Sequence, residues 1–181
     1  KNKDLYYKVN RDLTYETAVK AKAEGVKQFI FLSSMSVYGI ETGIINKDTP
    51  LNPKSNYGKS KLEAEELINK LADDRFIIAI IRPPMVYGRG CKGNYPRLAK
   101  LSLKIPVFPR IDNKRSMIYI DNLSEFVKQL IDNCSSGLFF PQNADYVNVS
   151  EMVKTITEVH EKKIWMTKII NPVISLMFRL G

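Results

Sequence analysis

The chain has 181 residues, 44% of them hydrophobic and 26% charged, which is the composition of an ordinary globular domain and excludes collagenous, mucin-like and disordered classes. Its 28 Lys and Arg against 19 Asp and Glu give a net charge of +9 at pH 7, which attracts anions of any kind. Because no stretch interleaves clustered Arg and Lys with aromatic residues, we expect solvated surface charge and no nucleic-acid partner.

Cysteine usage and hydropathy indicate the compartment. Cys91 and Cys134 cannot form a disulfide framework, and neither has a second Cys or a His at ligand spacing, so we expect no metal site. No secretory signal opens the chain, and no apolar run reaches the roughly 18 residues of a spanning helix. We therefore expect a cytoplasmic protein without a membrane span. Since the chain begins with Lys1 and ends after the apolar stretch 174–180, we also expect it to be part of a longer protein.

The first elements predict a helix followed by a strand. Small and apolar residues recur at helical spacing between residues 10 and 24, and Gly25 follows where a helix would reach its left-handed terminal residue. The apolar run 29–32 then predicts a short strand covered on both faces. Residues 38–56, rich in Gly, Asn, Asp, Pro and Thr, predict a long loop, and loops of that length are usually functional or disordered.

A second helix and strand repeat this order. The helix opens near Ser55 and carries an apolar stripe suited to lying on a sheet, formed by Ala64, Leu67, Ile68 and Leu71. The apolar run 76–81 predicts a second buried strand, ended by Pro83 and Pro84. Later segments predict, in order, a helix at 96–103, a loop with Pro106 and Pro109, a strand at 117–120, a helix at 122–131 and a helix with Ser150 as its N-cap. This alternation favours an α/β fold with a doubly wound parallel sheet.

We expect the reactive residues to lie at the ends of the strands. Ligands of open parallel sheets bind beyond the carboxyl ends of the strands, where Ser33 and Ser34 follow the first strand. Tyr57 and Lys61 lie four residues apart at the start of the second helix and are therefore neighbours on one face. A Tyr with a pKa of about 10 acts as a base only where its phenolate is favoured. We expect the charge of Lys61, a Ser hydroxyl and a bound nicotinamide cation to lower that pKa, which suits proton transfer on an alcohol as hydride leaves its carbon.

Four segments give the chain a family resemblance. They are FIFLSSMSVYG at 29–39, PKSNYGKSK at 53–61, IRPPMVYGRG at 81–90 and RSMIYIDNL at 115–123. In order and approximate spacing they resemble the signatures of the extended short-chain dehydrogenase/reductases, and more narrowly those of the NAD-dependent nucleotide-sugar epimerase/dehydratase family. The resemblance implies a Rossmann-like sheet with a smaller C-terminal substrate lobe, both incomplete here. Residues 1–90 would be the later part of the NAD-binding domain, and 91–181 a truncated substrate lobe mixed with returning Rossmann elements.

The resemblance also implies roles for individual residues. Tyr57 would be the catalytic acid/base, Lys61 would hold the cofactor ribose and tune Tyr57, and Ser34 would be the catalytic hydroxyl. The implied cofactor-binding set is Asn10, Ser33, Tyr57, Lys61, Pro83 and Pro84. The implied substrate-binding set is Ser36, Asn94, Phe108 and Arg115, with Arg115 pairing with the diphosphate and Phe108 near the base. For Phe108 the alternative is plain core packing, and for Arg115 an ordinary surface ion pair. Arg82 is interpreted as structural.

In three places the sequence departs from the family pattern, and these departures bear on the expected cofactor, reaction and substrate. The glycine-rich dinucleotide fingerprint is absent from the chain, so NAD is expected as cofactor while NADP stays open, and weak or no cofactor binding is expected from this chain alone. Met35 and Ser36 stand where sugar 4,6-dehydratases of the family carry an Asp-Glu pair, which disfavours dehydration. Met85 stands where epimerases commonly have Asn, which leaves room for an atypical substrate.

The expected function is therefore that of a nucleotide-sugar 4-epimerase, of the UDP-glucose 4-epimerase type, with a UDP- or dTDP-sugar as substrate. One alternative is an NAD(P)H-dependent reductase of 4-keto-6-deoxy-sugar nucleotides in surface-polysaccharide synthesis. Another is a binding scaffold derived from the family that keeps the fold without turnover. Relatives are often dimers, so a homodimer is expected for the full-length protein, whereas the chain alone is expected to be inactive.

Overall fold

The computed structural model describes residues 3–40, 42–46, 48–169 and 171. Helices and strands alternate along the chain, as predicted. The helices are α1 (Lys3–Tyr6), α2 (Leu13–Ala23), α3 (Asn56–Asn69), α4 (Asn94–Ser102), α5 (Ile120–Asp132) and α6 (Val149–Val159). The strands are β1 (Gln28–Leu32), β2 (Ile77–Ile81), β3 (Met85–Tyr87), β4 (Val107–Pro109), β5 (Met117–Tyr119), β6 (Gly137–Phe139) and β7 (Trp165–Thr167). All pairs between these strands are parallel, which confirms the predicted α/β class.

The chain divides into two compact units. The first comprises Lys1–Pro84 and Leu123–Pro141, and the second comprises Met85–Asn122 and Gln142–Gly181. The chain returns to the first unit with the greater part of α5 and with β6, which pairs with β2. The domain boundary expected at residue 90, with returning Rossmann elements after it, stays a prediction.

The sheet of the first unit has three strands in the order β1-β2-β6. Gln28 of β1 lies opposite Ile77 of β2, and the register continues to Leu32 opposite Ile81. The carboxyl ends of β1 and β2 therefore meet at one end of the sheet. The central strand β2 is buried from Ile78 to Ile81, as predicted. By contrast β1 lies at an edge of the described sheet and is less covered than predicted, with Leu32 47% exposed.

The core of the first unit lies between this sheet and the helices α2 and α3. Small residues at the contact let these elements approach closely, and larger side chains fill the space between them. The buried cluster consists of Ala18, Phe31, Ala64, Ile68, Phe76, Ile78 and Ile80. The predicted stripe of α3 is thus confirmed at Ala64 and Ile68, which are fully buried.

The first helical segment is longer than predicted and contains a local irregularity. A π-helical stretch, Tyr7–Asp12, separates α1 from α2, so helical structure begins before residue 10. Isolated π-helical turns are rare and often occur at functional sites, and this stretch contains Asn10. The segment ends before Gly25, whose φ of +75° confirms the predicted left-handed terminal residue.

Two parallel strand pairs, β3 with β5 and β4 with β7, form the sheets of the second unit. The loop predicted around Pro106 and Pro109 is wrong in part, because β4 lies within it and pairs with β7. Pro109 occupies the last position of β4, where a strand with a single partner tolerates the missing N–H.

The N-terminus of α6 also differs from the prediction. Asn148 caps this helix, since its side-chain oxygen accepts hydrogen bonds from the backbone nitrogens of Ser150 at 2.8 Å and Glu151 at 3.2 Å. The Ser150 hydroxyl, predicted as the cap, instead donates to the buried carbonyl oxygen of Pro109 at 3.1 Å. Two residues with capping side chains, separated by Val149, stand at the start of this helix, and their order alone does not reveal which one caps it.

The apolar stretch 174–180 lies outside the described residues, as do residues 170, 172, 173 and 181, whereas Trp165–Thr167 form β7. No helix in the described ranges combines the length and apolar character needed to cross a membrane.

We expect Ile68→Ala to lower the free energy of unfolding by about 2 to 5 kcal/mol, because it leaves a cavity in the core of the first unit. The matched control is Ile44→Ala, since Ile44 is 88% exposed; it should change stability by less than about 0.5 kcal/mol. Urea unfolding followed by circular dichroism measures both variants. Equal effects of the two substitutions would contradict this account of the core.

Candidate active site

The turn after β1 carries three of the predicted site residues. Ser34 caps the short 3₁₀ turn Met35–Val37. Its hydroxyl oxygen accepts a hydrogen bond from the backbone nitrogen of Ser36 at 3.1 Å and lies 3.0 Å from the Ser36 hydroxyl. Ser33 is buried just before this turn. The turn thereby fixes two hydroxyl groups, Ser34 and Ser36, beside each other at the carboxyl end of the strand.

The start of α3 is fixed by a cap and by a close contact. The Ser55 hydroxyl accepts a hydrogen bond from the backbone nitrogen of Gly58 at 3.0 Å, so the helix begins at Asn56 and Tyr57 lies in its first turn. A Cβ on Gly58 would lie 2.5 Å from the carbonyl oxygen of Ser36, a distance that side chains do not tolerate. The absence of a side chain at position 58 therefore lets α3 approach the turn that holds Ser34.

This approach brings the Tyr57 phenol close to the Ser34 hydroxyl. Burial raises the pKa of the Tyr57 phenol, the Ser34 hydroxyl acts in the opposite direction because it favours the phenolate, and the neighbouring Tyr6 adds to the increase. In the chain by itself the net shift of the Tyr57 pKa is upward, because desolvation of the phenolate outweighs the favourable effect of Ser34. The expected lowering by Ser34 is confirmed, and the lowering expected from a bound nicotinamide cation stays a prediction. At neutral pH the phenol consequently carries its proton.

The Lys61 ammonium lies at the end of β1. Its Nζ donates a hydrogen bond to the carbonyl oxygen of Leu32 at 2.8 Å and lies 4.5 Å from the centroid of the Phe31 ring. Burial lowers the pKa of Lys61, and the carboxylate of Glu65 opposes that decrease. Lys61 therefore places a cation at the same strand end as Ser34 and Tyr57.

Asn10 supports the backbone of Tyr57. Its side-chain Nδ2 donates to the Ser60 hydroxyl at 3.1 Å, and Ser60 in turn donates to the carbonyl oxygen of Tyr57 at 2.9 Å. The ring of Tyr6 meets the ring of Tyr57 edge to face, with 6.0 Å between centroids. The first helical segment thus holds Tyr57 by a polar chain and by an aromatic contact, and the cofactor contact implied for Asn10 stays a prediction.

Backbone hydrogen bonds join the residues that follow β1 to the end of β2 and to Pro83. The backbone nitrogen of Ser33 donates to the carbonyl of Ile81 at 2.7 Å, and that of Met35 donates to the carbonyl of Pro83 at 3.3 Å. The Ser33 hydroxyl oxygen is buried and finds no hydrogen-bond partner in the described part of the chain. Buried polar atoms are normally satisfied, so this hydroxyl fits a contact with a bound group. Pro84, directly after Pro83, is half-buried at the same place.

The other predicted substrate residues belong to the second unit. Asn94 is exposed as the first residue of α4. Arg115 is also exposed, and its backbone pairs with Val147 through two hydrogen bonds of 2.9 Å. No ion pair within the described ranges engages its guanidinium. Phe108 is 5% exposed in β4, which is typical of core packing. The substrate contacts implied for these residues stay predictions.

Residue-by-residue reasoning missed three contributors to the site. Gly58, Ser60 and Tyr6 have no part in the expected proton transfer, yet each contacts Tyr57 or the turn beside it and so helps to fix its position. The sequence contains a signal for Gly58 and for Ser60. Gly destabilises a helix by about 1 kcal/mol, so a Gly between Tyr57 and Lys61 indicates that another segment packs closely there. Ser60 is similarly small and is fully buried. No comparable feature of the sequence points to Tyr6.

Together these groups can move a proton at a hydroxyl or carbonyl oxygen. Tyr57 supplies a protonated phenol, Ser34 a second hydroxyl beside it, and Lys61 a fixed cation. Among the described residues, no three His, Cys, Asp or Glu side chains come together in a way that could hold a metal ion.

Comparison with known proteins agrees with this arrangement. Residues 1–140 match the model of the NAD dependent epimerase/dehydratase family. The chain belongs to this family. It is 35% identical over 170 residues to a UDP-glucose 4-epimerase of Vibrio cholerae, covering 89% of this chain and 52% of the relative. It is 33% identical over 168 residues to an N-acetyl-alpha-D-glucosaminyl-diphospho-ditrans,octacis-undecaprenol 4-epimerase of Escherichia coli O157:H7, covering 88% of this chain and 50% of that protein.

Solved structures agree on the fold. A dTDP-4-dehydrorhamnose reductase from Clostridium acetobutylicum matches with a TM-score of 0.76 at 23% identity, covering 91% of this chain and 58% of the reductase. The predicted Rossmann-like architecture of this family member is thereby confirmed, and NAD or NADP is the cofactor class of the family. The chain spans about half the length of the curated relatives named above.

We expect Gly58→Ala to destabilise the protein by about 1 to 3 kcal/mol, because the new methyl group would meet the Ser36 carbonyl and force α3 away from the turn. This sign is the reverse of the usual gain of about 1 kcal/mol when Ala replaces Gly in a helix. The control Lys59→Ala alters the exposed neighbour on the same helix and should be nearly neutral. Urea midpoints measure both; a stabilised Gly58→Ala variant would show that the helix does not lie this close.

Proposed function

We propose that the full-length protein is a nucleotide-sugar 4-epimerase that works with NAD and uses Tyr57 as its proton-transferring residue. The observation that carries this proposal is the convergence of Ser34, Tyr57 and Lys61 at the carboxyl end of β1. The similarity to the Vibrio cholerae UDP-glucose 4-epimerase supports the choice of epimerisation and of a UDP-sugar. A surface-polysaccharide pathway is the proposed setting.

The residues at the two strand ends fit a nicotinamide cofactor. The unpartnered Ser33 hydroxyl offers a buried hydrogen-bonding group, and the Lys61 ammonium offers a donor suited to ribose oxygens. Asn10 and the backbone at Pro83 and Pro84 complete the proposed set. NAD supplies, when bound, a reversible acceptor for the hydride of the sugar carbon that bears the reacting hydroxyl.

Tyr57 and Ser34 would divide the proton chemistry. Ser34 hydrogen-bonds the sugar O4 and holds it against the Tyr57 phenol, as its present position close to Tyr57 indicates. Tyr57 takes the O4 proton as the 4-keto form arises and gives it back when the alcohol returns. The raised pKa of the free chain favours the protonated phenol. Tyr57 therefore acts as a base only with positive charge nearby, and Lys61 supplies the resident part of that charge.

Each predicted substrate residue has a proposed role of its own. We assign Ser36 to the sugar, because its exposed hydroxyl lies beside Ser34. Arg115 is assigned to the diphosphate, since an exposed guanidinium without an ion pair among the described residues matches the paired oxygens of a phosphate. Asn94 and Phe108 are assigned to binding of the nucleotide. Phe108 fits this role less well than Asn94, because its side chain is buried.

A second candidate is a reductase of 4-keto sugar nucleotides. The specific observation in its favour is the raised pKa of Tyr57, which keeps the phenol in the form that donates a proton to a keto oxygen at neutral pH. The fold similarity to a dTDP-4-dehydrorhamnose reductase is compatible with it. Both candidates use the same residues and differ in whether a 4-keto sugar is an intermediate or the substrate.

The homodimer expected for the full-length protein is part of this proposal. Leu5, Val9 and Leu13 follow at intervals of four along the first helical segment and are 57%, 47% and 55% exposed. Apolar side chains exposed at this spacing suit a contact with a second copy.

We expect Tyr57→Phe in the full-length protein to lower the turnover number by about a hundred- to ten-thousand-fold while the fold is kept, because only the proton-bearing oxygen is removed. The control Tyr15→Phe removes a hydroxyl from α2, outside the site, and should retain parental turnover. The assay mixes the protein with NAD and UDP- or dTDP-hexoses and follows the 4-epimer and nicotinamide absorbance together.

The outcomes of this assay separate the candidates. An epimer formed without net NADH change supports the epimerase, whereas NADH or NADPH consumed only with a 4-keto sugar supports the reductase. Sugar-nucleotide binding without either reaction supports the scaffold and contradicts the proposal. Near-parental turnover of Tyr57→Phe would also contradict the role of Tyr57.

We expect Ser33→Ala to leave the unliganded protein equally stable or more stable, because it deletes a buried hydroxyl that has no partner in the described chain. The same change should weaken NADH binding by about two- to tenfold, the loss of one hydrogen bond. Thermal unfolding and NADH fluorescence titration measure the two effects, with Ser102→Ala as a control in the second unit, where the buried hydroxyl donates to the Ala99 carbonyl. Unchanged NADH affinity would remove Ser33 from the cofactor site.

A further inference from the structure

Three buried polar side chains form a cluster that the proposed chemistry does not use. They are Tyr38, Glu65 and Arg82, which are 1%, 3% and 6% exposed. The Arg82 guanidinium donates to both carboxylate oxygens of Glu65, with 3.1 Å between Nε and Oε1. Its Nη1 donates to the phenol oxygen of Tyr38 at 2.7 Å. One guanidinium thus holds a carboxylate and a phenol at the same time.

Stability alone gives little reason for this cluster. Removing charges from water is costly, and well-packed apolar residues of the same volume often stabilise a protein equally well or better. A better-attested use of a buried ionic group is to fix the register of packed segments. An Arg suits that use, because its donors lie in one rigid plane and therefore fix the directions in which its partners stand.

The cluster joins three segments that carry the candidate site or border it. Glu65 lies on α3, the helix of Tyr57, and Arg82 directly follows β2. Tyr38 directly follows the 3₁₀ turn after β1. The backbone nitrogen of Arg82 donates to the Phe139 carbonyl of β6 at 2.9 Å, so the residue that holds the other two is itself fixed to the sheet.

The turn after β1 is attached at both of its ends. At its start, backbone hydrogen bonds from Ser33 and Met35 join it to the segment that ends β2. At its end, Arg82 holds the side chain of Tyr38. The predicted catalytic hydroxyl of Ser34 lies between these two attachments. The second attachment also reaches α3, because the same guanidinium holds a carboxylate of that helix.

The direct contact between α3 and the turn needs such a bridge. A Cβ on Gly58 would lie 2.5 Å from the Ser36 carbonyl oxygen, so the two segments already touch. A steric contact of this kind stops the segments from coming closer, but it does not stop them from sliding or moving apart. Hydrogen bonds are directional and resist both motions. The bonds of Arg82 to the helix and to the end of the turn supply that restraint.

We propose that Arg82 is a positioning residue, which through Glu65 and Tyr38 holds the turn that carries Ser34 against the helix that carries Tyr57. The sequence-based interpretation of Arg82 as structural is thereby extended to the site. The catalytic use of this placement rests on the proposed function, whereas the placement itself does not.

The first test observes the placement without substrate. In the full-length protein, isotope-labelled at tyrosine Cζ, NMR follows the Tyr57 resonance, which the variant Tyr57→Phe identifies. Tyr38→Phe keeps the ring and deletes only the oxygen that accepts from Arg82. We expect it to displace the Tyr57 resonance in the same direction as Ser34→Ala does. In the double variant Tyr38→Phe should add little to Ser34→Ala, because both changes act through one contact.

Turnover of the full-length protein provides the second measurement. Tyr38→Phe should lower the turnover number by about ten- to a hundredfold when Ser34 is present, because a small misplacement of a reacting group is costly. In the Ser34→Ala background the same change should alter turnover by less than about twofold, since residues that act through one contact are not additive. A loss that is only structural would be the same in both backgrounds.

A second variant and a control accompany both measurements. Arg82→Lys keeps a positive charge for Glu65 but lacks the planar fork that reaches both partners, so it should repeat the effects of Tyr38→Phe. The matched control is Tyr87→Phe in the second unit, which deletes a phenol oxygen that accepts a hydrogen bond from Asn143 at 3.0 Å. It should leave the Tyr57 resonance and the turnover number as in the parent.

Two results would overturn the inference. One is an unmoved Tyr57 resonance in Tyr38→Phe, and the other is an equal effect of Tyr38→Phe with and without the Ser34 hydroxyl. A displaced resonance in a protein without turnover would contradict the proposed function alone, since the resonance requires neither substrate nor cofactor.

Discussion

A side chain at position 58 would meet the carbonyl oxygen of Ser36, so α3 can lie against the turn after β1 only because residue 58 is glycine. The proximity of Tyr57 to Ser34 depends on this approach. It brings the first turn of α3 to Ser34, and it sets the distance over which Lys61 reaches the end of β1. The cap at Ser55 then fixes where the helix begins, and the chain of hydrogen bonds from Asn10 through Ser60 fixes how Tyr57 is presented.

Burial acts on the two ionisable residues of the site in a consistent way. It raises the pKa of Tyr57 and lowers that of Lys61, so both are shifted toward their neutral forms. Charge at this place must therefore be supported by specific partners. Ser34 supports a phenolate, and Glu65 supports the ammonium. A proton transfer that involves the phenolate therefore depends on those partners and on the positive charge that a bound cofactor adds.

Local pattern predicted most of the first unit. The spacing of Ala64 and Ile68 and the apolar run before Pro83 predicted a helix and a strand that the structure confirms, because both elements depend mainly on burying one apolar face or run. The family motifs predicted catalytic roles for Ser34, Tyr57 and Lys61, and the structure brings these three residues to one strand end. The sequence did not reveal that burial outweighs the favourable field at Tyr57, since desolvation depends on what packs around a residue in three dimensions.

The failures have similar physical causes. Strand β4 was missed because three residues that include Pro109 show no periodicity and depend on pairing with distant β7. Asn148 was missed as a cap because Ser150 has the same capping chemistry two residues later. Tyr6 contributes through a ring contact with Tyr57, which is distant in the sequence, and no local signal encodes such a contact.

The edge position of β1 affects how the chain behaves in solution. On the side away from β2, its backbone groups have no partner strand among the described residues. An open edge of this kind is a template onto which another strand can add. In a preparation of this chain alone, β1 therefore offers an edge onto which a second copy can add a strand.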